Sequence, residues 1–211
     1  MVEMGINPTL LQEMQHRCSN DLQLVVSLIE LSKKRTDSEK TASVLTDLGN
    51  RVRVLAQARS ALLRSGERDL ATALREVCES LQVLAEPKSV AIQLTINDES
   101  FNISEGKVLA ASLAVNELVT NALKHAYQKR DGGRIAVNYS RMDSNVACIS
   151  VEDDGDPFTF DPGGAKGSKG LGLGLVRRLI DQQGGMLIAP TDGSKRFELR
   201  IESKVPTMAV N

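Results

Sequence analysis

The sequence predicts an α+β protein in which a helical N-terminal part precedes a layered α/β domain. Up to about Arg64, apolar residues recur at spacings of three and four, as they do on one face of a helix. From Val90 onward, segments that predict strands alternate with further helical patterns. The polar stretch Ser65-Gly66-Glu67-Arg68 separates the two regions, so we expect domains at residues 1–66 and 67–211.

Two amphipathic helices make up the N-terminal part. Pro8 stands near the start of the first, and the polar stretch TDSEK both ends this helix and caps the second. The two apolar stripes consist of Leu11, Met14, Cys18, Leu22, Val25 and Ile29, and of Val44, Leu45, Leu48, Val52, Leu55 and Leu62. One antiparallel hairpin has too little core to stand alone, so we expect a homodimer in which two hairpins form a four-helix bundle.

The second domain is predicted to hold three helices and five strands. Helices are expected at residues 70–84, 104–127 and 171–183, and strands at 90–96, 134–141, 146–152, 186–189 and 196–202. Asp69 is suited to cap the first of these helices, and a loop rich in Gly, Pro and Asp precedes the last. We expect the helices to cover one face of a mixed sheet.

The composition argues against several classes of protein. A formal net charge of -1 and an aromatic content of 3% do not favour nucleic acid or an anionic membrane as a partner. No apolar run approaches the roughly 20 residues of a membrane span, and no secretion signal opens the chain. Cys18, Cys78 and Cys148 are far apart, so we interpret them as buried hydrophobic residues in a reducing cytoplasm.

His16 is a candidate nucleophile on the first helix. At about 100° per residue it lies opposite the apolar stripe, with Asn20 one turn further on. An exposed, near-neutral imidazole can attack phosphorus, and Asn20 could orient a water or a phosphoryl oxygen. An isolated surface histidine more often has no function, so the downstream motifs decide between these interpretations.

The segment NELVTNALKH places several polar residues on one helix. Glu117 and Asn121 are four residues apart and can face a single ligand. Asn121 offers a neutral carbonyl oxygen that suits an Mg²⁺ ion in contact with phosphates, and Glu117 could act as a base or hold a water. Asn116, Lys124 and His125 lie nearby, and Lys124 could meet phosphate as a point charge. The same pattern also fits a solvated helix face.

Two further motifs suit a nucleotide. Asp153 closes a strand, where it can accept a hydrogen bond from an exocyclic amine such as that of adenine, and Gly155 lets a ring approach the backbone. Gly170, Gly172 and Gly174 open a helix whose free N–H groups can face phosphate. A β-turn and a flexible loop are the simpler interpretations of these two segments.

The order of these motifs resembles the ATP-binding domain of GHKL type, which sensor histidine kinases share with Hsp90-type chaperones, type II topoisomerases and MutL. The resemblance implies an α/β sandwich that binds ATP, with Asn121 as the Mg²⁺ ligand and Asp153 as the adenine contact. It makes the loop at residues 156–169 the ATP lid. The phosphate-side turn would consist of Gly170, Gly172 and Gly174.

The N-terminal helices sharpen this resemblance. HRCSNDLQLVVSLIEL and NRVRVLAQARSALL resemble the phosphoacceptor helices of HWE-related histidine kinases, in which an H-R-x-x-N run carries the phosphorylated histidine. The resemblance implies that His16 is autophosphorylated from ATP and passes the group to an aspartate on a response-regulator receiver domain. The strand SVEDDGD lacks the W-x-E signature, which indicates a sibling branch, and Pro157 replaces the second glycine of the usual D-x-G-x-G.

Two alternatives remain open from the sequence. The first is a phosphotransferase or phosphatase for a response regulator, with an impaired nucleotide domain. Pro157 favours it, as does the lack of a sensor domain before His16, which otherwise suggests a piece of a longer kinase or a signal from a partner. Asn121, Asp153 and the glycines disfavour it. The second is an ATP-gated interaction module without phosphohistidine, which the pair of His16 and Asn20 disfavours.

Overall fold

The structure, a computed structural model, describes residues 8–65, 70–97, 101, 103–128, 130, 132–156, 171–190 and 194–203, without the side chains of 8–19, 60–65, 171, 172 and 175. Within these ranges the helices are α1 (Pro8–Lys34), α2 (Glu39–Ser65), α3 (Leu70–Ala85), α4 (Glu105–His125) and α5 (Leu171–Gln182). The strands are β1 (Val90–Ile96), β2 (Gly133–Arg141), β3 (Val146–Asp153), β4 (Met186–Ile188) and β5 (Phe197–Glu202). This order confirms the predicted succession of elements. The expected cap at Asp69 and the loop beyond Asp156 lie outside the described residues.

The two N-terminal helices pack as a hairpin. The N–H of Thr41 donates to Ser38 Oγ at 3.3 Å, so the polar connection caps α2 as its composition predicts. A Cβ built at Gly49 would lie 3.4 Å from Cγ2 of Ile29, in close contact but without overlap. The small residue at this position lets the backbone of α2 approach α1 closely.

One face of this hairpin stays uncovered. Ile29, Val54 and Ala58 are buried, yet large apolar side chains on both helices remain exposed. The exposed set consists of Leu24, Val25, Leu28, Leu31, Val44 and Leu48. Val25, Val44 and Leu48 belong to the predicted apolar stripes, so packing within a single hairpin covers those stripes only in part.

A mixed sheet and three helices form the second part as two layers. The strand order is β1-β2-β3-β5-β4, with β1 parallel to β2 and every other pair antiparallel. Alternate residues of β2, namely Ile135, Val137 and Tyr139, are buried, while their neighbours are more open. Helices α3, α4 and α5 lie side by side on the buried face. The fold is therefore a helical N-terminal part followed by a mixed α/β domain, as predicted.

Two lysines fix the ends of α4 against the rest of the domain. Lys107 Nζ, buried in the first turn, donates to the carbonyl oxygen of Glu202 at 2.6 Å. Lys88 Nζ donates to the carbonyl oxygen of Leu123 at 2.6 Å. A cation at the last turn satisfies a carbonyl that the helix leaves open and opposes the negative end of its dipole. These bonds hold in place the helix that carries five of the predicted site residues.

The described cysteines behave as the sequence analysis expects. Cys78 and Cys148 are free and buried. Burial raises the pKa of Cys78 to about 12 and also raises that of Cys148, so both thiols stay protonated at neutral pH. The side chain of Cys18 lies outside the described residues.

None of the helices in the described ranges is long and apolar enough to cross a bilayer.

Candidate functional site

The C-terminal half of α4 carries five of the predicted site residues, and their burial changes along the helix. Asn116 and Glu117 are buried, Asn121 is half-buried, and Lys124 and His125 are exposed in the last turn. The long run without helix breakers explains why this segment is one continuous helix. The polar residues therefore emerge from the core toward the end of α4, which is the end nearest Asp153.

Asp153 lies at the end of β3 on the side of the sheet that faces the helices. It is paired with Ile135, a fully buried residue, so both side chains lie on the same face of the sheet. Its Oδ1 accepts hydrogen bonds from the N–H of Gly155 at 3.0 Å and from Lys195 Nζ at 3.2 Å. The side chain is only 7% exposed. A shielded carboxylate that takes nitrogen donors is the acceptor that the exocyclic amine of a base requires.

Gly155 holds the end of β3 against the end of α4. A Cβ at this position would come 2.6 Å from Cβ of Ala126, too close for any real contact. The N–H of Asp156 donates to the carbonyl oxygen of Ala126 at 2.7 Å. The sequence assigned Gly155 to the approach of a ring, and the structure shows a second requirement, the approach of the α4 backbone.

The neighbouring Asp154 has a structural role that the sequence analysis did not predict. Its Oδ1 accepts the N–H of Arg134 at 2.8 Å and lies 3.1 Å from the hydroxyl of Tyr127. Burial opposes the charge, but these two hydrogen bonds and the nearby arginines hold the pKa of Asp154 below its ordinary value. Burial and Asp154 in turn raise the pKa of Tyr127. Asp154 thus ties the start of β2 to the segment after β3.

Helix α2 packs against the polar side of α4 through ion pairs. Arg51 donates twice to the carboxylate of Glu117, from Nε to Oε1 at 2.6 Å and from Nη2 to Oε2 at 3.0 Å. This bidentate bond raises the pKa of Arg51. Lys124 Nζ donates to Asp47 Oδ1 at 2.6 Å. Two residues that the sequence assigned to the nucleotide are therefore bound to α2 in this arrangement.

The structure describes only some of the remaining predicted residues. His16 belongs to α1, with its side chain outside the described part, while Asn20 is exposed on the same helix. Gly172 and Gly174 lie in the first turn of α5, and a Cβ at Gly174 would have no heavy atom within 4 Å. Gly170 lies outside the described residues, as does Pro157.

Sequence reasoning also missed the partners that these residues find in space. Lys195 precedes β5 and Arg51 lies on α2, far from Asp153 and Glu117 in the chain. The contact of Lys195 with Asp153 could be predicted only from their opposite charges at matching positions of neighbouring strands. That prediction requires knowing that β3 pairs with β5. Arg51 has no local signal, because its partner depends on how α2 packs.

Comparison with known proteins assigns the family. A family model described as "Histidine kinase" matches residues 13–85, and one described as "Histidine kinase-, DNA gyrase B-, and HSP90-like ATPase" matches residues 106–205. Together the two matches span most of the chain and define its class as a histidine kinase core. Within that class the chain belongs to the HWE-related sensor histidine kinases.

Individual relatives agree with this assignment. The chain is 28% identical over 194 residues to the sensor histidine kinase PdtaS of Mycolicibacterium smegmatis, covering 87% of this chain and 38% of that protein. It is 26% identical over 195 residues to blue-light-activated histidine kinase 2 of Erythrobacter litoralis, covering 87% and 54%. The chain thus spans about two fifths to half of these relatives. They favour a kinase over the phosphotransferase or phosphatase alternative.

A solved structure supports the fold alone. The histidine kinase domain of the blue-light-activated kinase EL346 from Erythrobacter litoralis superposes with a TM-score of 0.63 at 19% sequence identity. The match covers 89% of this chain and 94% of that one. Both the helical hairpin and the α/β domain therefore belong to a shared architecture.

Proposed function

We propose that this chain is an ATP-dependent histidine kinase of a two-component system. His16 takes the γ-phosphoryl group of ATP and passes it to an aspartate on a response-regulator receiver domain. The observation that carries the proposal is the position of Asp153, a shielded acceptor of N–H donors held against the end of the helix that bears Asn121. The H-R-x-x-N run on α1 supplies the nucleophile in the same chain.

The residues of α4 and β3 fit the ATP and Mg²⁺ that this function requires. Asp153 fits the amine of the base, because its carboxylate already accepts two nitrogen donors. The half-buried Asn121 presents an amide oxygen, which suits an Mg²⁺ ion that keeps waters and takes phosphate oxygens. Glu117 holds a water or a proton near the reacting phosphate once it is released from Arg51. When bound, Mg²⁺ neutralises the charge of the phosphates, the usual source of rate enhancement in phosphoryl transfer.

His16 carries the group between donor and acceptor. Its imidazole nitrogen forms a bond to the γ-phosphorus as the bond to the bridging oxygen breaks, and ADP leaves with that electron pair. The receiver carboxylate then takes the phosphoryl group and returns a neutral imidazole. Asn20, exposed one turn along α1, is positioned to orient a phosphoryl oxygen.

The quaternary organisation belongs to the same proposal. We place the boundary between the phosphoacceptor helices and the ATP-binding domain at residue 66. The uncovered apolar face of the hairpin pairs with a second copy to complete a four-helix bundle. Because ATP and receiver domains meet in the cytoplasm, the reaction takes place there, without nucleic acid.

The direct test is incubation of the pure protein with γ-labelled ATP and Mg²⁺. We expect a label that is acid-labile and alkali-stable and that disappears in His16→Ala, while this variant still binds ATP. Asn121→Asp and Asp153→Ala are expected to abolish labelling and to leave the dimer intact by light scattering. ATP binding without any label would contradict the kinase, and normal labelling of either site variant would contradict the nucleotide site.

A further inference from the structure

Lys195 lies opposite Asp153 at the end of the sheet. Strands β3 and β5 pair antiparallel, and Val151 is matched with Phe197. Continuing this register by two residues, past the start of β5, matches Asp153 with Lys195, and the 3.2 Å contact between Lys195 Nζ and Asp153 Oδ1 agrees with this match. Residues two apart on a strand share a face, so Lys195 lies on the helix-facing side together with Asp153.

The ammonium group of Lys195 is fully engaged by the segment that carries Asp153. Its Nζ donates to Asp153 Oδ1 at 3.2 Å and to the carbonyl oxygen of Asp156 at 2.7 Å, and also to the carbonyl oxygen of Gly155. An ammonium has three N–H donors and no acceptor, so these three contacts use all of them. The Lys195 side chain is 17% exposed, which makes this a shielded ion pair.

We propose that Lys195 is a base-specificity residue that competes with the nucleotide base for Asp153. The proposal rests on the ATP site proposed above. Oδ1 of Asp153 already accepts the N–H of Gly155 and the ammonium of Lys195. An adenine amine needs the same carboxylate, whose charge the ammonium already compensates, so the amine and the ammonium must share its acceptor oxygens when the base binds. Weakening a shielded pair is costly, because each charge then loses part of its compensation.

The competition predicts that removal of Lys195 raises the affinity for ATP, which is the opposite of the usual effect of removing a lysine near phosphate. A lysine near a polyphosphate ordinarily tightens binding, so its removal ordinarily weakens the affinity. Here, Lys195→Met leaves the Asp153 carboxylate without its charged partner in the free protein. The base amine then restores a donor to that carboxylate, and the affinity for ATP rises. A general electrostatic role and a competing role therefore give opposite results.

Base choice gives a second, independent readout. Hypoxanthine carries a carbonyl oxygen where adenine carries its amine. The ammonium of Lys195 donates to that oxygen, whereas the carboxylate of Asp153 repels it. Removal of Lys195 therefore takes away the one donor of this pair that can meet the carbonyl oxygen of an inosine nucleotide. The preference for ATP over inosine triphosphate must widen in Lys195→Met.

The experiment measures dissociation constants for ATP and inosine triphosphate with Mg²⁺ by calorimetry on the full chain. We expect Lys195→Met to bind ATP about tenfold more tightly than wild type, with inosine triphosphate unchanged or weaker. Lys195→Gln keeps a hydrogen-bond donor without the charge, so its affinity for ATP should lie between those of wild type and Lys195→Met. Arg196→Met is the matched control, since this exposed neighbour pairs with Glu198 at 3.1 Å, and it should stay within about twofold of wild type.

The outcomes separate this inference from the proposed function. If wild type binds ATP and both lysine variants bind it equally or more weakly, Lys195 is not a competitor and the ATP site stands. If wild type binds neither nucleotide, the ATP site fails, and the role of Lys195 fails with it. If the affinities for ATP and inosine triphosphate rise equally, the substitution has opened the site to both nucleotides without changing base choice. That result would overturn the proposed role of Lys195 in base specificity.

Discussion

Two adjacent acidic residues at the end of β3 have different roles, one in the proposed ATP site and one in the fold. Asp153 faces the helix layer and accepts nitrogen donors, while Asp154 binds the backbone N–H of Arg134. Successive side chains of an extended chain point to opposite faces, which explains why neighbours with the same chemistry have different partners. The pair DD in the sequence therefore contains one residue of the proposed site and one that stabilises the fold.

Asp154→Asn should destabilise the protein in a pH-dependent way. The folded-state pKa of Asp154 lies below its ordinary value, so the ionised carboxylate stabilises the fold above the unfolded pKa of about 3.9. That contribution disappears as the pH falls through the lower folded pKa. Urea titrations should therefore show a higher free energy of unfolding for wild type than for Asp154→Asn at pH 7. This difference should narrow below about pH 4. Glu152→Gln, an exposed neighbour on β3, is the control, and a gap independent of pH would contradict the assignment.

Gly155 and Gly174 should respond in opposite ways to alanine. A Cβ at Gly155 would come 2.6 Å from Cβ of Ala126, so we expect Gly155→Ala to cost about 1–3 kcal/mol through overpacking. At Gly174, in the first turn of α5, the space is open, and Gly174→Ala should leave stability unchanged or raise it by about 0.5–1 kcal/mol. Chemical denaturation measures both. Equal effects would mean that the end of β3 is not held against α4 by this close approach.

At the scale of elements, the contact between α2 and α4 combines two ion pairs of different strength. The side chains of Arg51 and Glu117 are 20% and 10% exposed, while those of Lys124 and Asp47 are 42% and 35% exposed. Solvent screens the second pair and hardly reaches the first. The first pair therefore decides how firmly the hairpin holds the helix that carries Asn121.

Arg51→Met should destabilise the protein more than Asp47→Asn does. Loss of Arg51 leaves the buried carboxylate of Glu117 without its partner, at a cost of about 3–5 kcal/mol. Loss of Asp47 leaves an exposed lysine, at a cost below about 1 kcal/mol. Denaturant unfolding of both variants gives the comparison, with Asp47→Asn as the internal control. Similar small losses would indicate that α2 does not pack on α4 in solution.

Local patterns were sufficient for the order of the elements and for placing some residues of the candidate site on them. The spacing of Glu117 and Asn121 places them on one helix without any knowledge of tertiary structure, and the alternation from Val90 to Ile96 identifies a strand. The partners Arg51 and Lys195 could not be predicted, because each contact depends on packing between distant segments. The role of Gly155 against α4 was hidden for the same reason, since a single glycine fits several kinds of close approach.

At the scale of the whole molecule, the exposed apolar face of the hairpin calls for a second copy. Leu24, Leu28 and Leu31 follow one another at spacings of four and three along α1, and all three are exposed beside Val25. A continuous apolar stripe on a helix is stable in water when another surface covers it. An antiparallel hairpin that leaves such a stripe open forms a four-helix bundle when two copies pair.

Leu28→Asp should therefore convert the dimer to a monomer and leave the fold of each chain intact. Leu28 is 54% exposed within one hairpin, so the aspartate meets water in the monomer, whereas in a dimer it would bury an unpaired charge. Size-exclusion chromatography with light scattering measures the mass, and circular dichroism confirms the unchanged helix content. Met142→Asp is the matched control, because this equally exposed apolar residue follows β2, outside the hairpin, and should stay dimeric. A monomeric wild type, or a Leu28→Asp variant that remains a dimer, would show that this stripe is not the dimer interface.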